Sequence, residues 1–152
     1  MFEEITQRDE AIFVELMREF YHSPAVLHAI PDRHFTDTFH EITNGSPYAE
    51  AFLFRENGQI AGYGLLAKTY SNEAGGLVVW LEEVYIREAF RGTGLGSRFF
   101  RFVEERYAGK AARLRLEVEP DNEGAIRLYK RLGYEALPYQ QMIKTPQTDG
   151  RA

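Results

Sequence analysis

Apolar residues recur along this chain at two periods. From Glu10 to Tyr21 the positions Ile12, Phe13, Leu16, Met17 and Phe20 stand three or four apart, which predicts a helix with one buried face. Phe2 to Thr6 reads as a short strand ahead of it, and a second helix is expected from about Asp32 to Ile42. The period then changes. Ala49 to Arg55 and Gln59 to Thr69 read as two strands joined through Glu56-Asn57-Gly58, a strong hairpin signal, and Leu77 to Arg87 reads as a third.

Helical spacing returns between Gly94 and Tyr107, with Leu95, Phe99, Phe102 and Val103 on one face and Arg98, Arg101, Glu104 and Glu105 on the other. A strand from Arg113 to Val118 is closed by Pro120, which cannot donate to a sheet ladder. Asn122 is a natural cap for a last helix carrying Ala125, Leu128, Tyr129 and Leu132 and ending at Gly133, with Tyr134 folding back on it. A final strand is expected near Tyr139 to Lys144. The element order implies an α/β fold of the α+β type, one twisted mixed sheet of about six to seven strands with about four helices.

Composition narrows the class. At 152 residues and 44% hydrophobic content the chain suits one domain, expected over residues 1–144 with a polar tail at 145–152. It has no cysteine, which removes disulfides, thiolate metal sites and a cysteine nucleophile. No stretch approaches a membrane span and no basic-then-apolar leader opens the chain, so a soluble, cytoplasmic protein is the expectation. A formal net charge of -5 argues against nucleic acid and mildly for cationic partners.

The segment Arg91-Gly92-Thr93-Gly94-Leu95-Gly96-Ser97 sits between strand and helix. Glycine is costly there unless the backbone must approach something closely, and free N–H groups at a helix start form an anion site. A plain loop and helix cap explains the glycines equally well. The nucleotide-binding P-loop is a poor fit because no Lys follows the last glycine, and the dinucleotide fingerprint is a poor fit because Gly96 continues into Phe99.

Arg91-x-x-Gly94-x-Gly96 resembles the Gln/Arg-x-x-Gly-x-Gly/Ala signature of the GNAT acyltransferase superfamily. Leu81-Glu82-Glu83-Val84-Tyr85-Ile86 is similar to the strand that precedes that loop, and Asn122 to Tyr134 to a later helical segment, so the likeness covers about the C-terminal half. It implies an N-acetyltransferase that uses acetyl-CoA and a primary amine of a small molecule or peptide, with no metal. Val84, Tyr85 and Ile86 would pair with the pantetheine arm. Gly92, Thr93, Gly94, Leu95, Gly96 and Ser97 would hold the pyrophosphate, with Arg91 and Arg98 adding charge, and Asn122 would bond the pantetheine amide region. Tyr129, two helical turns after Asn122, would protonate the departing thiolate while also contacting the cofactor.

Glu82 and Glu83 interrupt an otherwise apolar strand, where desolvation raises a carboxylate toward the range of an amine-activating base. Strict alternation would let only one of them face a given cleft. Carboxylates wetted at a strand end are the plainer reading. Trp80-Leu81-Glu82-Glu83 is similar to the matching strand of diamine (spermidine/spermine) acetyltransferases, whose first acidic residue lies at the acceptor amine. That likeness favours Glu82 as base and a cationic acceptor. His22, His28, His34 and His40 recur every six residues, off the spacing of a helical metal pair, and are expected at the surface, although Tyr21, His22 and His34 border the family's acceptor region. A homodimer, an idle acyl-CoA-binding sensor of the same fold and a nucleotide-phosphate enzyme remain open alternatives.

Overall fold

The computed structural model describes residues 1–24, 26 and 28–146. They form two compact units, Met1–Glu117 and a second beginning at Val118. The first unit holds β1 (Phe2–Glu4), α1 (Glu10–Tyr21), α2 (Arg33–Thr43), β2 (Ala49–Glu56), β3 (Gln59–Ser71), β4 (Gly76–Ile86), α3 (Leu95–Tyr107) and β5 (Arg113–Leu116). Its sheet has the order β1-β2-β3-β4-β5, antiparallel except for the parallel β4–β5 pair that α3 connects.

Local chemistry explains the element boundaries. Thr6 and Asp9 form a reciprocal capping box ahead of α1, the Thr6 N–H and hydroxyl each donating to Asp9 Oδ2 at 2.8 Å. Asn57 and Gly58, both at positive φ, make the two-residue turn between β2 and β3, as the sequence expects.

Alternation along β2 separates two cores. Ala51 and Leu53 face Phe13, Leu16, Met17, Phe35 and Phe39 of α1 and α2, together with Tyr63 and Leu65 of β3. Phe52 and Phe54 face the other way, into an aromatic cluster with Phe2, Phe99 and Phe102. Gly64 makes that second core close-packed: a Cβ there would lie 2.2 Å from the Phe99 ring, so α3 rests on bare β3 backbone.

In the second unit, α4 (Glu123–Arg131) is capped by Asn122, whose Oδ1 accepts from the Ala125 N–H at 3.1 Å. It ends as the sequence expects. Gly133 takes φ 89°, the Tyr134 N–H donates to the Tyr129 carbonyl at 3.0 Å, and the two tyrosine rings meet edge to face.

Two expectations change. Residues 139–144 form no strand, so the described residues hold five strands rather than six to seven. Tyr139 and Ile143 would share a strand face, but polar Gln141 stands between them and Met142 falls on the opposite face, and all three apolar residues are strongly exposed. The strand expected to reach Val118 stops at Leu116, whose partner Leu81 is the last β4 residue paired with β5. Of the expected tail, residues 147–152 lie outside the described residues.

Gly64→Ala should destabilise the protein by about 1–3 kcal/mol, because Phe99 is fully buried and has nowhere to move. Thermal unfolding should show this as a Tm lower by several degrees. An unchanged Tm would mean that α3 does not rest on β3 as described.

Candidate active site

One residue too many on β4 creates the site. Leu65 of β3 pairs with Glu83 and the next residue, Leu66, pairs with Leu81, so Glu82 has no partner on β3. Such a bulge bends its strand and sharpens its twist. Here it follows the last β4–β5 pair, Leu81 with Leu116. Beyond it, Glu83–Ile86 keeps β3 on one edge and, among the described residues, has no strand on the other. Backbone N–H and C=O groups on that edge are available to an extended ligand.

Val84, Tyr85 and Ile86 line a surface groove of about 260 Å³ with Phe20, Ser23 and Arg91. The structure thus brings together four of the residues picked out in the sequence. Phe20 and Ser23 were not picked out as site residues: the helical spacing of Phe20 marks it as core, and only the placement of the end of α1 against β4 turns it toward the groove.

After a short 3₁₀ turn at Glu88–Phe90 the chain enters the glycine loop. Gly92 and Gly94 take φ 76° and 78°, a conformation that disfavours side chains, and Gly94 is the N-cap of α3. Being glycine, it offers no side chain to cap the helix. The first helical bond runs from the Arg98 N–H to the Gly94 carbonyl, so the N–H groups of Leu95, Gly96 and Ser97 point out of the helix end, where the helix dipole favours an anion. Arg91 stands beside the loop with its Nε donating to the Ile86 carbonyl at 2.9 Å. Arg98 is held by Glu56 at 2.7 Å, away from the role of added loop charge. Thr93 donates to the Phe90 carbonyl and steadies the turn.

The two carboxylates differ sharply. Glu83 is buried and accepts hydrogen bonds from the Tyr21 hydroxyl at 2.5 Å and the Tyr63 hydroxyl at 2.6 Å. Burial raises its proton affinity, and the two phenols oppose that rise. Glu82 is open to solvent at its surface, yet enough protein surrounds the carboxyl for burial to lift it above the usual carboxylate range, with the charges of Glu83 and Glu117 adding to the lift. The bulge breaks the alternation the sequence suggests: both carboxylates lie within electrostatic reach of the Tyr21 hydroxyl rather than on isolated faces. Tyr63, which the sequence reading did not single out, gave no signal beyond its place in an alternating strand.

Arg87, just past β4, ties the strand end to α1 through Glu15 and Glu19 at 2.6 Å each, and the Tyr85 hydroxyl also donates to Glu19. In the second unit, Asn122 uses its side-chain oxygen as the α4 cap, and burial raises the Tyr129 phenol above its usual value, which keeps it protonated. All four histidines are exposed, as expected; His22 Nδ1 contacts the Arg18 carbonyl and His40 lies 3.6 Å from Glu10. Among the described residues no three metal-ligating side chains gather, and no helix is long and apolar enough to cross a membrane.

A mixed sheet with a bulged, one-sided strand running into a glycine loop at a helix N-terminus sets free backbone groups for an extended ligand next to a site that favours an anion. The chain belongs to the Acetyltransferase (GNAT) family, whose model matches residues 10–134. It is 38% identical over 79 residues to a thialysine N-epsilon-acetyltransferase of Bos taurus, covering 51% of this chain and 46% of that protein. Over 75 residues it is 34% identical to a spermine/spermidine N(1)-acetyltransferase of Bacillus subtilis (strain 168), covering 48% and 49%. The chain thus spans about half the length of the curated relatives it matches. The structure of AAC(6')-Iy in complex with the bisubstrate analog CoA-S-monomethyl-acetylneamine matches with a TM-score of 0.79 over 97% of this chain and 98% of that one; at 16% identity this is a likeness of fold.

A Cβ on Gly96 would meet only Ile86 Cδ1, at an ordinary 3.5 Å, so the fold does not itself demand glycine there. Gly96→Val should therefore lower CoA affinity at least about tenfold, or 1.4 kcal/mol, with little change in Tm. Calorimetry showing unchanged affinity in the folded variant would remove the loop from anion binding.

Proposed function

We propose that this protein is an N-acetyltransferase that moves an acetyl group from acetyl-CoA to a primary amine by direct transfer in a ternary complex. The observation that carries this reading is the one-sided edge of β4 beyond the bulge, continuous with the uncapped start of α3: an extended amide-bearing arm and a diphosphate would meet their partners in that order along the chain. The absence of a side-chain cap on α3 and the open groove beside Tyr85 both fit such a ligand.

Acetyl-CoA, when bound, supplies an activated thioester carbonyl. Backbone groups of Val84, Tyr85 and Ile86 would hold the pantetheine arm, and β4 N–H groups would polarise the carbonyl. Gly92–Ser97 and Arg91 would hold the pyrophosphate, and the Asn122 amide, whose oxygen serves the helix cap, has donors left for the arm. Glu82 takes a proton from the amine nitrogen as it attacks, the acceptor having first given its ammonium proton to solvent. As nitrogen bonds to the acetyl carbon and the carbon–sulfur bond breaks, the thiolate takes the Tyr129 hydroxyl proton, leaving an acetamide and CoA. The chain has no cysteine for an acyl-enzyme route.

The acceptor we propose is a cationic amine. The charges of Glu83 and Glu117 both act on Glu82 at the bulge, and a cation beside it would offset that repulsion. The relatives named for thialysine and for spermine/spermidine make those amines the first to test. A screen following free CoA should find them faster than neutral or carboxylate-bearing amines; the reverse order would remove the cationic assignment.

Tyr129→Phe keeps the ring and removes only the proton donor. Turnover should fall by roughly 10²-fold or more with little change in acetyl-CoA affinity. A packing role alone would change stability by about 1 kcal/mol and leave turnover near wild type, an outcome that takes Tyr129 out of the mechanism.

Glu82→Gln should likewise cost about 10²-fold or more in turnover. In the wild type the base must be deprotonated, so activity should rise as pH increases through the raised Glu82 value, above the usual carboxylate range. Loss of that acidic limb in the variant is the expected signature, and full activity in Glu82→Gln would sink the base assignment.

A further inference from the structure

Glu83 is a buried carboxylate with a phenol on each oxygen. Tyr63, fully buried on β3, holds one oxygen. Tyr21, the last residue of α1, holds the other, and its ring is fixed between Phe20 at 5.3 Å and Phe35 at 5.4 Å. No nearby cation neutralises Glu83 among the interactions that set its proton affinity; its partners are neutral donors. One residue earlier, Glu82 stands on the bulge, solvent-accessible and released from the β3 register.

Resting on the acetyltransferase reading above, we infer that Tyr21 and Tyr63 form a clamp that makes Glu83 the fixed anion of the pair and leaves Glu82 as its proton acceptor, with Tyr21 the positioning residue that sets this division of roles. Two adjacent carboxylates do not ionise independently: the proton taken up first goes to the one whose charge is less well supported. Two hydrogen bonds support the charge on Glu83. No side-chain hydrogen bond is among the influences on Glu82, whose proton affinity is raised by Glu83 from the same strand and by Glu117 just past β5.

The phenols suit the task, since burial and the Glu83 charge push both Tyr21 and Tyr63 far above their usual range and keep them protonated donors at working pH. The groups facing the pair are thus Tyr21 from α1, Tyr63 from β3 and Glu117 after β5. The consequence is a stronger base at Glu82 than a lone carboxylate would be, because an undischarged neighbour sits beside it. The same clamp ties the end of α1 to the bulge, so acceptor-side geometry and base strength depend on one contact.

Tyr21→Phe keeps the ring between Phe20 and Phe35 and removes the Glu83 bond. Glu83 then competes better for the first proton, Glu82 stays ionised to lower pH, and the acidic limb of kcat/KM for the acceptor moves to lower pH. Turnover near neutrality should drop by about one order of magnitude, well short of losing the base, and CoA affinity should not change. Glu83→Gln, which removes the neighbouring charge outright, should move the limb in the same direction. Carbon-13 NMR titration of the Glu82 carboxyl reads the same shift without turnover, should either variant prove too slow to assay. An acidic limb and a Glu82 titration unmoved in Tyr21→Phe, while Glu82→Gln is inactive, would overturn the clamp and leave the base assignment standing. Full activity in Glu82→Gln would overturn both.

Discussion

The unpaired residue on β4 is the constraint from which the rest of the site follows. A strand held on both edges would have no backbone to offer, and the pairing of β4 with β5 ends at Leu81 and Leu116, immediately before the unpaired Glu82. Because the bulge falls at the last β4–β5 pair, one side of Glu83–Ile86 is left open where the strand is otherwise best anchored. β3 supports its other edge, and Arg87 with Glu15 and Glu19 fastens its end to α1. An open edge on a rigid strand is what a pre-organised binding surface requires.

Packing on the two faces of the sheet keeps that edge in place. On one face, α1 and α2 cover Ala51, Leu53, Tyr63 and Leu65, and the same layer carries Tyr21 to Glu83. On the other, Phe99 of α3 lies on Gly64, so the helix whose N-terminus would receive an anion is seated directly on the sheet. Loop, helix and strand are therefore positioned by one aromatic core rather than by the loop itself. That arrangement explains why the glycine loop can afford open space around Gly92 and Gly94: those positions are held by their backbone conformation and by Thr93, and nothing packs on them.

Membership of the acetyltransferase family sets the chemistry at the level of class. The matches at 34–38% identity span about half of each protein, so they speak to the shared family rather than to a particular acceptor.

Much was legible in the residues alone. Among the described residues, helical and strand periods placed the four α-helices and the five strands to within a few residues, Asn57-Gly58 set the hairpin, and Arg91 to Ser97 marked the glycine loop that leads into α3, because each of these depends on neighbours close in sequence. The strand expected at Tyr139–Lys144 failed for the opposite reason: a strand exists only if a partner and a buried face are supplied from elsewhere, and this segment joins no sheet, with Tyr139, Met142 and Ile143 all exposed. The pair Glu82-Glu83 was visible as an anomaly in an apolar run, but alternation assigned the residues to opposite faces. Only the register between β3 and β4 could show the extra residue at Glu82, and only the packing of α1 on β3 could bring Tyr21 and Tyr63, 42 positions apart in numbering, onto the same carboxylate. Pairing register and side-chain clamps are contacts between distant segments, and a single sequence carries no local signal for either.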